Sequence, residues 1–388
     1  MTGPRALRIA YAAQVPVPSH RAYGVHVMHM CKAFAELGHE TTLYTMEPSF
    51  EVPDLHGYYG MAPTFGVDHV PMSSLRGVSG PMFGREIVKR AVRAGTDLVY
   101  SRHIYAAAAA RLTGLPVIYE AHMPVSNVIH RQLLARMLRQ KNRFALVTIT
   151  AALREQYLQD IPGLKADDIL VAHDAADLPM AVAPADPKRP GAFVVGYVGN
   201  LYPGKGIEII LEIARLLPDL SFHIVGGRAE DLARWTSQNP PANIRFFGQV
   251  PHGDLQRYFD DMDVLLLPLQ NKVSPDGGSG DIARWTSPMK MFEYMAQGKP
   301  IIASDLPVLQ EVLRDGENAL IIPAADAKAW GAAIRGLSAD EACAEQLGKQ
   351  ARMTLERDHT WLARSETALL WARGRLHLGQ SYRGAEQV

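Results

Sequence analysis

Short apolar runs alternate with segments of helical length along the whole sequence. Several of the runs are apolar at successive positions, which is typical of parallel strands whose two faces are both covered. The predicted strands are 7–13, 41–45, 98–102, 116–122, 146–150 and 169–174 in the first half, and 193–199, 221–227, 244–250, 264–269, 300–304 and 319–323 in the second. Helical patterns at 25–37, 207–217, 255–260 and 289–296 lie between them. The alternation predicts an α/β protein with two doubly wound parallel sheets.

A proline-rich stretch without periodicity, 177–189, separates the two halves and is typical of a linker. We therefore predict one Rossmann-like domain over 1–180, a linker over 181–190 and a second Rossmann-like domain over 191–360. Open parallel sheets bind ligands beyond the carboxyl ends of their strands. Two such domains are therefore expected to face each other across a cleft.

The charge and cysteine content exclude several classes of protein. The chain of 388 residues has 40 Lys+Arg and 40 Asp+Glu, whereas a nucleic-acid binder usually shows a basic excess. Its two cysteines, Cys31 and Cys343, exclude a disulfide scaffold and a cysteine-based zinc site. We find no targeting signal and no apolar run of about 18 residues, which predicts a cytoplasmic protein. Nothing in the sequence specifies an oligomeric state.

A glycine-containing turn, 199–206, connects a predicted strand to a predicted helix. Free backbone N–H groups and the helix dipole favour a phosphate at such a turn, and Lys205 adds a positive charge. The turn is not a P-loop, because Gly206 stands where that motif requires Ser or Thr. A glycine-eased connection with a surface lysine is the alternative interpretation.

Lys290 and Glu293 lie three residues apart on the predicted helix 289–296, so they share a face. Thr286 or Ser287 is expected to cap this helix. The pair could form an ion pair on a solvated surface. The helix is otherwise apolar, however, and a buried carboxylate needs a partner, which a ligand with hydroxyls and phosphates would supply.

Several segments in a fixed order carry a resemblance to a known family. They are Gly-Asn-Leu-Tyr-Pro-Gly-Lys-Gly at 199–206, Phe-Gly-Gln-Val-Pro-His at 247–252, Met-Asp-Val-Leu-Leu-Leu-Pro at 262–268, Ser-Pro-Met-Lys-Met-Phe-Glu-Tyr-Met-Ala at 287–296, Ala-Ser-Asp at 303–305 and Glu-Val-Leu-Arg-Asp-Gly-Glu-Asn at 311–318. Together they resemble the nucleotide-sugar domain of the family-four retaining glycosyltransferases of GT-B fold. Gly24, the segments 100–102 and 119–122, and Trp361 with Arg364 resemble other parts of that family.

The resemblance implies an acceptor-side N-terminal domain, a nucleotide-sugar-binding C-terminal domain, and a C-terminal helix within 361–388 that packs back towards the N-terminal domain. It also implies roles for matching residues. Lys205 would neutralise the donor diphosphate, Glu293 would accept hydrogen bonds from the ribose, and Lys290 would hold phosphate. His122, at a strand end, would contact the transferred sugar, although it could instead bond to a neighbouring loop.

The implied catalytic set is His122, Lys205 and Glu293. The implied donor-binding set is Gly24, in the loop after the first strand, with Asn200, Gly204, Lys205, Arg284, Thr286, Ser287, Met289, Lys290 and Glu293. Two positions depart from the family pattern. Asn200 stands where a basic residue is common, so Lys205 would act with less help or with Arg284. Trp285 replaces the first of two glutamates, so backbone N–H groups of 281–287 would contact the donor sugar.

The implied reaction is retaining transfer of a sugar from a nucleoside diphosphate sugar, with UDP favoured, to a hydroxyl of an unidentified acceptor. No cofactor or metal is expected. The literal Asp-x-Asp match, Asp261 to Asp263, precedes a strand and is interpreted as its solvated lead-in. A nucleotide-sugar epimerase of the same fold and a non-catalytic two-lobed sugar-binding protein are the alternatives. An NAD(P) enzyme is disfavoured, because the turn at 12–16 lacks G-x-G-x-x-G.

Two segments of the first half bear on the acceptor. The basic helix predicted over 127–144 could lie peripherally on the inner face of an anionic membrane and serve a lipid-linked acceptor, or it could be a solvated face of a packed helix. The aromatic, irregular segment 51–74 could be an acceptor-recognition loop or a packed connection.

Overall fold

The computed structural model describes residues 5–75, 77–139, 142–179, 192–274, 280–376 and 378. The predicted linker 181–190 lies outside the described residues. Contacts divide the chain into two compact units. The first comprises Met1–His56, Met61–Ala172 and Trp361–Val388, and the second comprises Gly57–Gly60 and His173–Thr360.

The first unit contains a seven-stranded parallel sheet in the order β3-β2-β1-β4-β5-β6-β7. Its strands are β1 (Arg8–Pro16), β2 (Glu40–Met46), β3 (Gly66–Val70), β4 (Leu98–Ser101), β5 (Val117–Ala121), β6 (Phe144–Thr148) and β7 (Ile169–Val171). The helices of the first half are α1 (Ala22–Glu36), α2 (Leu55–Tyr58), α3 (Ser79–Arg93), α4 (Ile104–Leu112), α5 (Val128–Leu138) and α6 (Ala151–Asp160). The interpretation of 51–74 as irregular was wrong in part, because β3 and α2 both lie within it.

The second unit contains a six-stranded parallel sheet in the order β10-β9-β8-β11-β12-β13. Its strands are β8 (Val194–Val198), β9 (Ser221–Val225), β10 (Ile244–Gly248), β11 (Val264–Leu267), β12 (Ile301–Ser304) and β13 (Leu320–Ile322). The remaining helices are α7 (Ile207–Leu216), α8 (Ala229–Thr236), α9 (Gln256–Phe259), α10 (Met289–Ala296), α11 (Ala327–Ala339), α12 (Glu341–Asp358) and α13 (Trp361–Arg373), the last of which belongs to the first unit.

Helices cover both faces of the second sheet, which explains why β8 is buried along its whole length. Val194 and Val198 point into a core cluster that includes α10 and α12, whereas Val195 and Tyr197 point into another that includes α7 and α11. Both doubly wound sheets predicted from the sequence are confirmed. In each sheet the strand order reverses, in the second between β8 and β11, and this is where ligands bind in such folds.

Membrane-spanning helices were sought among the described residues. None of the helices in that part of the chain combines the length and the apolar character that crossing a bilayer requires.

Candidate functional site

The turn between β8 and α7 is a tight connection that only glycine can form. Gly204 and Gly206 have φ values of +85° and +86°. A Cβ atom on Gly204 would lie 2.0 Å from the Lys272 carbonyl oxygen, and one on Gly206 would lie 2.0 Å from that of Pro268. The turn therefore packs against the segment that follows β11. No side chain caps α7, so Lys205 lies next to a helix start whose N–H groups suit an anion.

Lys290 reaches the same end of β8 from α10. Its Nζ donates a hydrogen bond of 2.7 Å to the Tyr197 hydroxyl, which in turn donates one of 2.6 Å to the Asn200 carbonyl. A Cβ atom on Gly199 would lie 2.7 Å from this Nζ, so the glycine makes room for the ammonium group. Burial and, after it, the charge of Lys205 hold the pKa of Lys290 well below its ordinary value.

The two ammonium groups of Lys205 and Lys290 are thus near enough to repel each other. Such an arrangement favours an anion between or beside them, because a phosphate would remove the repulsion. Arg284, the substitute that the sequence suggested, is exposed, and its guanidinium lies 5.5 Å from the ring centroid of Trp285. The described interaction of Lys205 with another cation is the one with Lys290.

Glu293 lies one turn along α10 from Lys290 and is partly buried. Its Oε1 is 2.9 Å from Nε2 of His252, a residue in the loop after β10. Burial lowers the pKa of His252, but the hydrogen bond and charge of Glu293 and a hydrogen bond to the backbone of Tyr59 outweigh it, and the pKa is raised. The alternative of a solvated Lys290–Glu293 pair was wrong, since Lys290 donates to Tyr197 and Glu293 lies against His252.

The start of α10 differs from the prediction. The helix begins at Met289 after Pro288, and no side chain caps it. The predicted cap by Thr286 or Ser287 was wrong, because the Ser287 hydroxyl is buried and accepts a 2.8 Å hydrogen bond from the Asp174 N–H.

The loop before α10 uses most of its own backbone donors. The N–H groups of residues 282, 283, 285 and 286 bond to Val273, Asp281 and Ile282. Asp281 Oδ1 accepts from both Val273 and Ala283 at 2.9 Å, and these bonds lower the pKa of Asp281. Few N–H groups of 281–287 therefore remain for a donor sugar.

In the first unit, His122 follows β5 and lies against a buried carboxylate on that strand. Its Nε2 is 2.5 Å from Glu120 Oε1, and His26 Nε2 is 2.8 Å from the same oxygen. Glu120 Oε2 accepts a 2.9 Å hydrogen bond from Arg364 Nη1 and another from the Tyr100 hydroxyl. The three groups on His26, Glu120 and His122 lie within 4.8 Å of one another, so they have the donor set of a cation site.

Burial alone would raise the pKa of Glu120, but Arg364 and then His26 hold it well below its usual range. Burial and the charge of Arg102 lower the pKa of His122 to about 3, so the imidazole is neutral at physiological pH. Gly24, predicted in the loop after the first strand, lies instead in the first turn of α1 and is buried.

The literal Asp-x-Asp match has a structural role. Asp263 Oδ2 accepts a 2.8 Å hydrogen bond from the Val194 N–H, and its own N–H donates to the Val194 carbonyl at 2.8 Å. Asp263 therefore ties the start of β11 to β8. Asp261 is buried, so its interpretation as solvated was wrong.

Sequence reasoning assigned no role to His252, Tyr197 or Glu120. Glu120 carried a signal, because it is acidic within an apolar strand and two residues from His122, a spacing that places both side chains on one face. His252 and Tyr197 carried none, since each meets its partner through the tertiary fold.

Comparison with known proteins gives two family matches. Residues 192–340 match the family described as Glycosyl transferases group 1, and residues 23–178 match the one described as Glycosyltransferase Family 4. The chain is 25% identical over 334 residues to phosphatidyl-myo-inositol mannosyltransferase of Mycolicibacterium smegmatis, with 81% of each protein covered. It is 24% identical to glycogen synthase of Mycobacterium tuberculosis, with 87% of each covered.

Solved structures share the fold at low sequence identity. Anabaena HepE in complex with UDP-glucose superposes with a TM-score of 0.67 at 16% identity, covering 95% of this chain and 100% of that one. Sucrose-phosphate synthase from Thermosynechococcus elongatus gives 0.70 at 18% identity, covering 95% and 98%.

Proposed function

The chain belongs to the family 4 glycosyltransferases of GT-B fold, and from this we propose that it is a retaining enzyme that transfers a sugar from a UDP-sugar to a hydroxyl acceptor. One observation carries the proposal. The Lys290 ammonium group lies at the carboxyl end of β8, hydrogen-bonded to Tyr197 and within reach of the charge of Lys205, with Glu293 one helical turn away. UDP is preferred because the similarly folded HepE is described in complex with UDP-glucose.

The second unit holds the nucleotide in this proposal. The two ammonium groups and the free N–H groups at the start of α7 bind the diphosphate, and Glu293 accepts hydrogen bonds from the ribose hydroxyls. Gly199, Asn200 and Gly204 allow the backbone to approach closely. Thr286 and Met289, at the start of α10, and the exposed Arg284 complete the proposed donor site.

Negative charge develops on the leaving diphosphate as the glycosidic bond breaks. Lys290 is held in place before the reaction by its hydrogen bond to Tyr197, so it stabilises this charge together with Lys205 without large reorganisation, and we expect no metal requirement. His122 contacts the transferred sugar. Glu120 is a poor nucleophile for a covalent route, because both its oxygens already have hydrogen-bonding partners. Retention then follows from attack by the acceptor hydroxyl on the same face that the diphosphate leaves, with the hydroxyl proton passing to the departing diphosphate.

A thermal-shift screen with UDP-, GDP-, ADP- and TDP-sugars tests the donor site. A donor at 100 times its dissociation constant raises the unfolding free energy by about 2.7 kcal/mol, and we expect the UDP-sugar to give the largest shift. Lys205→Gln and Glu293→Gln should each remove most of the shift and lower kcat/KM by about 10²- to 10³-fold.

Lys328→Gln and Glu212→Gln are the matched controls, since both side chains are exposed on helices of the same unit. They should leave the shift unchanged. A donor shift that survives both site variants would refute the proposed donor site, and nucleotide release that is independent of any acceptor would argue against transfer.

We further propose that the acceptor is presented at an anionic membrane surface and that α5 contacts this surface. Val128 and Ile129 at its start are 63% and 61% exposed, and Arg131, Arg136 and Arg139 are exposed along it. Apolar side chains beside arginines suit the headgroup region of a bilayer. A relative that covers most of the chain is named for phosphatidyl-myo-inositol.

Co-sedimentation with vesicles tests this contact. We expect binding to phosphatidylglycerol vesicles but not to phosphatidylcholine vesicles, and a loss of binding at high salt. Arg131→Gln with Arg136→Gln should weaken binding about 30-fold, at about 1 kcal/mol for each charge. Leu216→Ser, at an exposed leucine of the second unit, should have no effect. Equal binding to both vesicle types would contradict the proposal.

A further inference from the structure

Glu120 is a buried carboxylate with polar partners on both of its oxygens. Its side chain is fully buried, and its oxygens meet His26, His122, Arg364 and the Tyr100 hydroxyl. Removing a charge this deep from water is costly unless every lone pair finds a donor. Arg364, on Oε2, would be enough for a structural salt bridge. The imidazoles of His26 and His122, both on Oε1, therefore require another explanation.

The bond between Glu120 and His122 determines where the His122 proton lies. A carboxylate can only accept, so Nε2 of the neutral imidazole must carry the proton that lies between it and Glu120 Oε1. Nδ1 is then left with a lone pair. This is the arrangement in which an acidic partner selects one tautomer of a functional histidine.

Arg364 in turn holds Glu120. It lies on α13, and its side chain is only 2% exposed. One arm donates to Glu120 Oε2 at 2.9 Å, and the other donates to the Ala172 carbonyl at 3.1 Å. Trp361, one turn earlier on α13, lies edge-on to the His26 ring with 5.0 Å between the centroids. The helix therefore contacts the carboxylate through Arg364 and one of its partners, His26, through Trp361.

We propose that Arg364 and Glu120 are positioning residues for His122: Arg364 orients Glu120, and Glu120 fixes the ring and the Nε2 proton of His122, so that Nδ1 accepts a hydrogen bond from a hydroxyl of the transferred sugar. The hydrogen bond from a sugar hydroxyl to Nδ1 rests on the proposed function, whereas the Nε2–H tautomer does not. An Nδ1 acceptor selects a sugar hydroxyl as donor, and it would not bind a sugar carboxylate at that point.

A cation held by His26, Glu120 and His122 is the competing explanation of the same cluster. It fits less well, because Arg364 already neutralises the carboxylate and the charge of Arg102 acts on His122. A divalent ion there would face both guanidinium groups within a buried site.

Imidazole nitrogen NMR on the ¹⁵N-histidine-labelled protein tests the tautomer directly, with His122→Gln identifying the signal. We expect the Nε2–H form between about pH 5.5 and 9, since a neutral ring does not titrate in this range. In Arg364→Met the signal should move towards a tautomer mixture. With the sugar donor as substrate, the kcat of Arg364→Met should fall about 10- to 100-fold relative to the unmodified protein, while the KM for the sugar donor changes less than about 3-fold.

Arg364→Lys keeps a charged donor for Glu120 and should restore much of the tautomer signal and of kcat. Arg375→Met is the matched control, because Arg375 pairs with Asp168 at 3.7 Å just beyond the same helix and should affect neither readout. If Arg364→Met does not fold, Arg364→Gln, which keeps an uncharged hydrogen-bond donor, takes its place with the same expected direction.

An Nδ1–H tautomer of His122 in the unmodified protein would overturn the proposal. So would a folded Arg364→Met protein with unchanged tautomer and kcat, or Zn²⁺ raising the melting temperature and shifting the His26 and His122 signals together. The expected tautomer in a protein without any transfer activity would refute the proposed function and still support the positioning of His122.

Discussion

Lys290 illustrates what a single residue gains from its tertiary neighbours. The sequence predicted that it lies on one helix with Glu293, three residues away, and this is confirmed by α10. Its hydrogen bond to Tyr197 could not be predicted, because 93 residues separate them. The burial of its ammonium group beside Lys205 is unfavourable for an empty site and favourable for an anion. The repulsion between the two ammonium groups therefore favours binding of an anion, in addition to the direct attraction between each group and the anion.

Replacing His252 by Gln should reveal a pH-dependent stabilisation. The pKa of His252 is raised above 6.5, so its ion pair with Glu293 contributes stability that is complete below about pH 6.5 and is lost as the pH rises through the folded value. We expect the melting temperature of His252→Gln to lie furthest below that of the unmodified protein near pH 6 and to approach it near pH 9. Thermal unfolding across this range measures the difference.

A double-mutant cycle with Glu293→Gln isolates the pair from other titrating groups, including Asp177, which also raises the pKa of His252. The coupling between the two substitutions should shrink as the pH rises. A coupling that is constant, or that grows with pH, would show that His252 is neutral in the folded protein.

At the level of elements, burial decides which strands can be recognised from sequence. β8 reads Val-Val-Gly-Tyr-Val and is fully buried, so its apolar run was plain. β3 reads Gly-Val-Asp-His-Val and lies at the edge of its sheet, where only Val70 is fully buried. Its polar Asp68 and His69 hide the pattern. The sequence pattern therefore missed β3, whereas it predicted the other edge strands, β7, β10 and β13, whose sequences are more apolar.

The β8–α7 turn should respond sharply to one added methyl group. In Gly204→Ala the new Cβ meets the Lys272 carbonyl, in addition to the cost of about 1–2 kcal/mol for a left-handed alanine. We expect a loss of unfolding free energy clearly above that cost, together with weaker donor binding. Chemical denaturation and the donor thermal shift measure the two effects.

Gly316→Ala provides the control in the same unit. Its φ is +69° and nothing lies within 4 Å of an added Cβ, so it should show the backbone cost alone. Equal losses in the two variants would mean that the turn moves away from Lys272 without difficulty.

At the scale of the whole molecule, both sheets were predictable because every strand except β3 has a recognisable apolar run, and the parallel doubly wound arrangement follows from the alternation of these runs with helices. The network at Glu120 was not predictable. Arg364 lies 244 residues away, and the apolar pattern of α13 gives no indication of which carboxylate its arginine meets.

Removal of α13 should destabilise the first unit selectively. A chain ending at Thr360 loses the buried Trp361 and leaves Glu120 without Arg364, at a cost of at least about 3–5 kcal/mol. Calorimetry should show an early transition for the first unit, and the second unit should still bind the donor. A chain ending at Leu378 keeps the helix and should unfold like the complete protein. Identical profiles for the two truncations would contradict this expectation.

The short excursion Gly57–Gly60 has a practical consequence for recombining such enzymes. These residues come from the first half of the chain but pack in the second unit, where a Cβ atom on Gly253 would lie 3.0 Å from the Gly57 carbonyl oxygen. Tyr59 within the excursion also bonds to His252. A chimera joined once, in the middle of the gene, would therefore combine segments from two parents beside Glu293, the acid that we propose binds the ribose. To exchange the first unit as a whole, residues 57–60 should stay with the parent that provides the second unit, and α13 should come from the parent that provides the first.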